Sequence, residues 1–180
     1  ANLYIVETDS LFDGGMFIGT EQDTIYDTNN FLGMKHDALD GYDRSYDIPE
    51  PPHAPDRWVS LYFPHSDWQS FFGNDFTSDY RKLEDLSGKV GVWDAKITSD
   101  RQDSLILVQF NFTDTVNWPV FFKIQDESDL SIFQYYKLEN NDIIEFDYNA
   151  DLAYLAQFKV GTGTAGPALS FDVEGGGGQM

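Results

Sequence analysis

The chain predicts an all-β fold: an antiparallel two-sheet β-sandwich, jelly-roll-like, with an immunoglobulin-like sandwich as the alternative. Three observations lead there. Short segments rich in β-branched and aromatic residues recur along the chain, and aromatics make up 16% of it, an excess that favours strands over helices. Turn-forming clusters of Gly, Asn, Asp and Ser separate these segments. The longest stretch with any helical character, residues 79–86, lacks good apolar periodicity.

Taken in order, the first expected strand is residues 3–8, Leu-Tyr-Ile-Val-Glu-Thr. Short ones follow at 16–18 (Met-Phe-Ile) and 24–26 (Thr-Ile-Tyr), after a turn at Asp13-Gly14-Gly15. Residues 57–63 (Arg-Trp-Val-Ser-Leu-Tyr-Phe) mix β-branched and aromatic side chains. The turn signals Gly73-Asn74-Asp75 and Ser87-Gly88 precede a strand at 89–98; Ser99-Asp100 separates it from one at 104–110. Strands at 120–124 and 132–136 follow, and Asn140-Asn141-Asp142 turns the chain into 143–148. The last are 153–160 and, beyond a Gly-Thr linker, 168–173. Ten to twelve such strands fit a jelly roll better than a seven-strand immunoglobulin fold.

A length of 180 residues suits one domain with a proper core. Residues 1–162 read as that domain. Residues 163–180 read as a Gly-rich linker, an extra strand and a glycine tail. Such a tail has no order of its own, so a neighbouring subunit is expected to hold it. The start at Ala1 and the immediate strand pattern read as a mature protein whose signal peptide has been removed. No apolar run reaches the roughly 18–20 residues of a membrane span.

Eleven Lys and Arg stand against 31 Asp and Glu, for a net charge of −20. That argues against nucleic-acid binding, which needs basic patches, and against anionic lipid surfaces. It fits a soluble surface in an ion-rich medium, or a protein that collects divalent cations. With no cysteine, thiol chemistry and Cys-type zinc sites are excluded.

The most informative segment runs from Asp37 to Pro55. Asp37, Asp40, Asp43, Asp47 and Glu50 recur every three or four residues across the turn at Gly41. Negative charge at that density repels itself, and oxygen ligands of this kind suit calcium. The spacing is not that of an EF-hand. The competing reading is a solvated acidic loop whose Asp residues form turns. Pro49, Pro51, Pro52 and Pro55 then stiffen the path into the strand at 57–63.

Four tryptophans invite a carbohydrate-binding reading. Trp58 and Trp93 sit inside strand patterns and are expected in the core, whereas Trp68 and Trp118 lie near turns and are the better candidates for stacking on sugar rings, with core or rim packing the default for all four. His36, His53 and His65 form no zinc spacing, and neither a nucleophile elbow nor a phosphate-binding glycine loop is present. Enzyme activity is not expected, and no catalytic residue is assigned. Asn111-Phe112-Thr113 is a lone N-glycosylation sequon, of a kind that arises by chance.

The run Asp37-Ala38-Leu39-Asp40-Gly41-Tyr42-Asp43, continuing through Tyr46-Asp47-Ile48-Pro49-Glu50-Pro51-Pro52, resembles a segment of large secreted bacterial surface proteins. Leu61-Tyr62-Phe63-Pro64-His65, Trp68 and Val92-Trp93-Asp94 are similar to later parts of the same module, so that the resemblance spans most of residues 14–160. It implies an extracellular β-sandwich and no known catalytic residues. In such proteins a C-terminal secretion or sorting domain often follows, where this chain has its linker, strand and tail.

Together these readings lead to an expectation: an extracellular structural subunit that polymerises with itself, head to tail. A terminal strand carrying Leu3 and Ile5, or Leu169, Phe171 and Val173, would complete a neighbour's sheet. Calcium would lower the repulsion between copies. The alternative is a calcium-stabilised glycan-binding module.

Overall fold

The computed structural model describes residues 14–82, 90–113, 119–150 and 153–161. Among them, eleven strands form two packed sheets, the sandwich the sequence predicts. They are β1 (Gly14–Gln22), β2 (Ile25–Lys35), β3 (Val59–Pro64), β4 (Asp75–Phe76), β5 (Ser78–Lys82) and β6 (Val90–Ser99). The chain continues through β7 (Ser104–Phe112), β8 (Val120–Asp126), β9 (Phe133–Leu138), β10 (Ile143–Tyr148) and β11 (Tyr154–Gly161). One sheet has the order β10-β7-β1-β2-β5 and the other β4-β3-β6-β11-β8-β9. Pairings are antiparallel except that of β2 with β5.

The core follows from alternation. In β8, Val120, Phe122 and Ile124 are buried while Phe121, Lys123 and Gln125 between them are less so, because successive side chains point to opposite faces. Ile18, Leu32, Ile106 and Phe110 of one sheet meet Leu61, Trp93, Phe122 and Phe158 of the other in one cluster. Each large side chain so buried contributes about 1.5–3 kcal/mol.

Three expectations change. Gly14-Gly15 begins β1 instead of making a turn. A Cβ on Gly15 would lie 2.1 Å from the Leu32 carbonyl oxygen and 2.4 Å from the Phe31 ring. The glycine therefore makes room for close strand and ring packing. β2 runs on to Lys35, well past residue 26, because Leu32 and Met34 enter the core and Asn30 is buried with its amide donating to Asp27 Oδ2 (2.8 Å). Residues 79–82 belong to β5, not to a helix, since the backbone lies in register on β2 from Phe31↔Ser78 to Lys35↔Lys82. The expected strands at 3–8 and 168–173, and the tail, lie outside the described residues.

Candidate functional site

The acidic and proline segment folds along the sheet ends formed by β4 and β5. Thr77 N–H donates to the Ile48 carbonyl (2.8 Å) and Glu50 N–H to the Asp75 carbonyl (2.9 Å). Pro49 forms an isolated antiparallel bridge with Phe76, and Ile48 N–H donates to Ser78 Oγ (2.9 Å). Residues 48–50 thus act as a short extra strand. Pro49, Pro51 and Pro52 have no N–H with which to extend the ladder. Residues 48–50 thereby cover a sheet edge.

The carboxylates have separate partners. Asp47 accepts the Asp43 N–H at Oδ2 (2.6 Å) and the Tyr80 N–H at Oδ1 (2.9 Å), which ties the loop to β5. Asp43 accepts from Ser45 N–H (2.9 Å) and Leu39 N–H (3.3 Å), an Asx-type turn. Glu50 accepts from Ser60 Oγ (2.7 Å) and Thr77 Oγ1 (2.6 Å). Asp37 accepts from the Tyr46 hydroxyl (2.5 Å), which holds its own pKa below the ordinary value and pushes that of Tyr46 up to about 12. Asp40 is exposed. Among the described residues, no group of three or more His, Asp or Glu side chains is placed to share an ion. Backbone amides and hydroxyls meet four of the five carboxylates.

Burial raises the Asp47 pKa from 3.8 to about 6, against the two backbone N–H bonds that favour its charge; Asp79 and Asp43 nearby raise it further. Between about pH 4 and 6 the folded chain holds a proton that the unfolded chain releases. This contribution to stability is therefore complete below about pH 4 and is lost as pH rises through 6. Asp47→Asn is expected to remove that slope. Melting temperatures of both proteins from pH 4 to 7 check this, and parallel profiles would contradict it.

Beside the loop lies a second polar cluster. Asp79 is fully buried and accepts from His65 Nε2 (2.9 Å) and from Arg81 Nε (3.2 Å) and Nη2 (3.0 Å). Burial alone would raise the Asp79 pKa; the hydrogen bonds from His65 and Arg81 outweigh it and leave the group below its ordinary value. His65 Nδ1 lies 3.5 Å from Asp67. The His65 ring is stacked on Trp68 with centroids 3.5 Å apart. Arg81 also donates to the Val92 carbonyl (2.6 Å) and lies over the Trp93 ring. Both nitrogens of His65 face protein carboxylates and its ring is covered, so the geometry holds the imidazole in place. These contacts tie the turn after β3 to β5.

Asp43, Asp47 and Glu50 in the loop, His65 and Trp68 after β3, and Trp93 in β6 thus occupy one region of the fold. Asp79 and Arg81, which join them, were not singled out in the sequence. Their spacing was the available signal, because positions i and i+2 share a face only if the segment is a strand.

Trp68 corrects an expectation. Its ring is 8% exposed and packs edge-on against Phe76 with centroids 4.8 Å apart. The turn after β3 folds it inward, so it offers no open stacking platform. Trp93 is in the core as expected; Trp58 is only half-buried and stacks on His53. Trp118, and the assembly residues Leu3, Ile5, Leu169, Phe171 and Val173, lie outside the described residues. Asn111 is half-buried in β7, and Thr113 of its sequon accepts the Gly15 N–H at Oγ1 (3.0 Å). No family model, curated protein or solved structure matches the chain.

Proposed function

We propose that this chain is a non-enzymatic structural module of an extracellular fibre or matrix, joined to copies of itself by strand donation. The observation that carries this reading is the unequal treatment of the sandwich edges. On the β4–β5 side the proline segment covers the sheet ends. On the opposite side, among the described residues, β9 pairs only with β8 and β10 only with β7. Leu130, Ile132, Phe133 and Ile143 are exposed there. An open edge beside apolar side chains is a template for an added strand, whose main-chain hydrogen bonds supply affinity.

The donors in this reading are the terminal segments, with Leu3 and Ile5 or with Leu169, Phe171 and Val173. The loop carboxylates support a non-catalytic role, since Asp43, Asp47 and Glu50 are engaged by protein donors. Calcium enters as a counter-ion between copies that each carry −20, since association must overcome that repulsion.

Sedimentation velocity of the whole chain, with calcium and with chelator, tests the reading. Long polymers are expected in calcium and shorter ones in chelator. Deleting residues 1–9, or separately 163–180, is expected to give monomers in one case. A monomeric parent chain, or polymers that survive both deletions, would sink strand donation.

A further inference from the structure

The outer face of the six-stranded sheet differs from the rest of this acidic surface. Strand registers place Asp94, Gln157, Lys123 and Tyr135 side by side across β6, β11, β8 and β9. The neighbouring row brings Lys96, Gln125 and Phe133 beside them. Lys159 and Lys137 stand in the row on the other side. Four of the chain's eleven cations therefore share one face. Asp94 is the carboxylate among them, and at the rim Glu127 bonds Lys96 (2.6 Å) while Glu139 lies 3.8 Å from Lys137.

The face has shape as well as charge. Pro64, Asp94, Lys96, Lys123, Gln125 and Gln157 line an open trough of about 190 Å³. At one end Phe133 and Tyr135 pack edge to face, centroids 5.3 Å apart, and both are exposed. The Lys123 ammonium lies 5.5 and 5.8 Å from their ring centres. Gln157 Nε2 donates to Asp94 Oδ1 (2.8 Å), which orients the amide. The trough is smaller than the roughly 300–1,000 Å³ of an enclosed small-molecule site. It suits a chain that crosses the sheet and settles one unit at a time.

We propose that this face binds an acidic polysaccharide of the uronic-acid class. Phe133 and Tyr135 present flat apolar surface to the C–H face of a sugar ring. Gln125 and Gln157 can donate to and accept from hydroxyls. Lys96 and Lys123 supply charge-assisted bonds to uronate carboxylates. Charge complementarity selects the occupant, since a local cluster of lysines makes this face the place where an anion meets least repulsion on a chain of −20. A nucleic acid, with one charge per roughly 1.7 Å of duplex, is more densely charged than a uronate chain with one carboxylate per sugar, and so meets stronger repulsion from the rest of the molecule. The proposal stands independently of self-assembly.

Affinity electrophoresis of the whole chain through gels containing alginate, polygalacturonate, a neutral β-glucan or single-stranded DNA tests it. One or both uronate polymers are expected to retard the protein, less so as salt is added. Lys123→Gln is expected to weaken the apparent affinity about tenfold, or 1.4 kcal/mol. Tyr135→Ala is expected to act similarly, and Lys35→Gln on the other sheet to have no effect. If Tyr135→Ala also lowers the melting temperature, Lys123→Gln carries the result. No retardation by either uronate, equal retardation by the β-glucan or DNA, or retardation unchanged by Lys123→Gln would overturn the proposal.

Discussion

Asp79→Ala is expected to cost about 3 kcal/mol of folding stability. The carboxylate is fully buried and accepts three hydrogen bonds, two of them from the Arg81 fork. Removing one partner of a buried ion pair typically costs about 3–5 kcal/mol, because the remaining charge stays desolvated and unpaired. The lower end applies because Arg81 is partly exposed and keeps its bond to the Val92 carbonyl. His65 loses the bond at Nε2, so the turn carrying Trp68 should loosen too. Urea unfolding with an unchanged m-value measures the loss. Asp79→Leu combined with Arg81→Met should recover most of it, since apolar groups of similar volume leave no orphaned charge. A cost for Asp79→Ala below about 1 kcal/mol, that of a typical neutral hydrogen bond, would show that the cluster does not pin β5.

Trp93→Ala is expected to cost about 3–5 kcal/mol, within the range of aromatic-to-alanine changes in cores. Trp93 has no exposed surface and sits opposite Phe158 in the β6–β11 pairing. Arg81 loses the ring beneath its guanidinium at the same time. Trp93→Phe should cost less, since it keeps an aromatic ring and leaves a smaller cavity. The indole N–H has no hydrogen-bond partner among the described residues, so phenylalanine removes volume without orphaning a partner. Equal losses for the two variants would mean that the indole shape, not the aromatic bulk, sets the packing of this layer.

These two sites differ in how far they could be read in advance. Trp93 lies in an evident strand pattern, and its burial follows from alternation alone. Asp79 lies in a polar stretch with no apolar period, and its burial depends on Arg81 of the same strand and on His65 reaching it from the turn after β3. Gly15 makes the same point from the other side. A Gly-Gly pair normally marks a turn, yet here the Phe31 ring approaches from β2 and occupies the place of a side chain. The Gly15 arrangement leaves no local signal, because it is decided by a ring on a neighbouring strand, and the Asp79 cluster is completed by His65 from a distant turn.

The acidic loop divides in the same way. Its composition told of self-repulsion, and therefore of a need for positive partners. Composition cannot say whether a cation or a backbone N–H meets that need. The fold places the Tyr80 N–H against Asp47, and two hydroxyls against Glu50.

From the sequence alone came the all-β class, the two-sheet sandwich, most of the strands and the acidic, cysteine-free surface. Those properties rest on composition and on a period of two, which any stretch of chain carries by itself. Only the tertiary structure decided which edge residues 48–50 cover, where Trp68 goes, and that Lys96, Lys123, Gln157 and Tyr135 stand on one face. Such neighbours are set by strand order and register between segments far apart in the chain, and that information resides in the packing of the whole core.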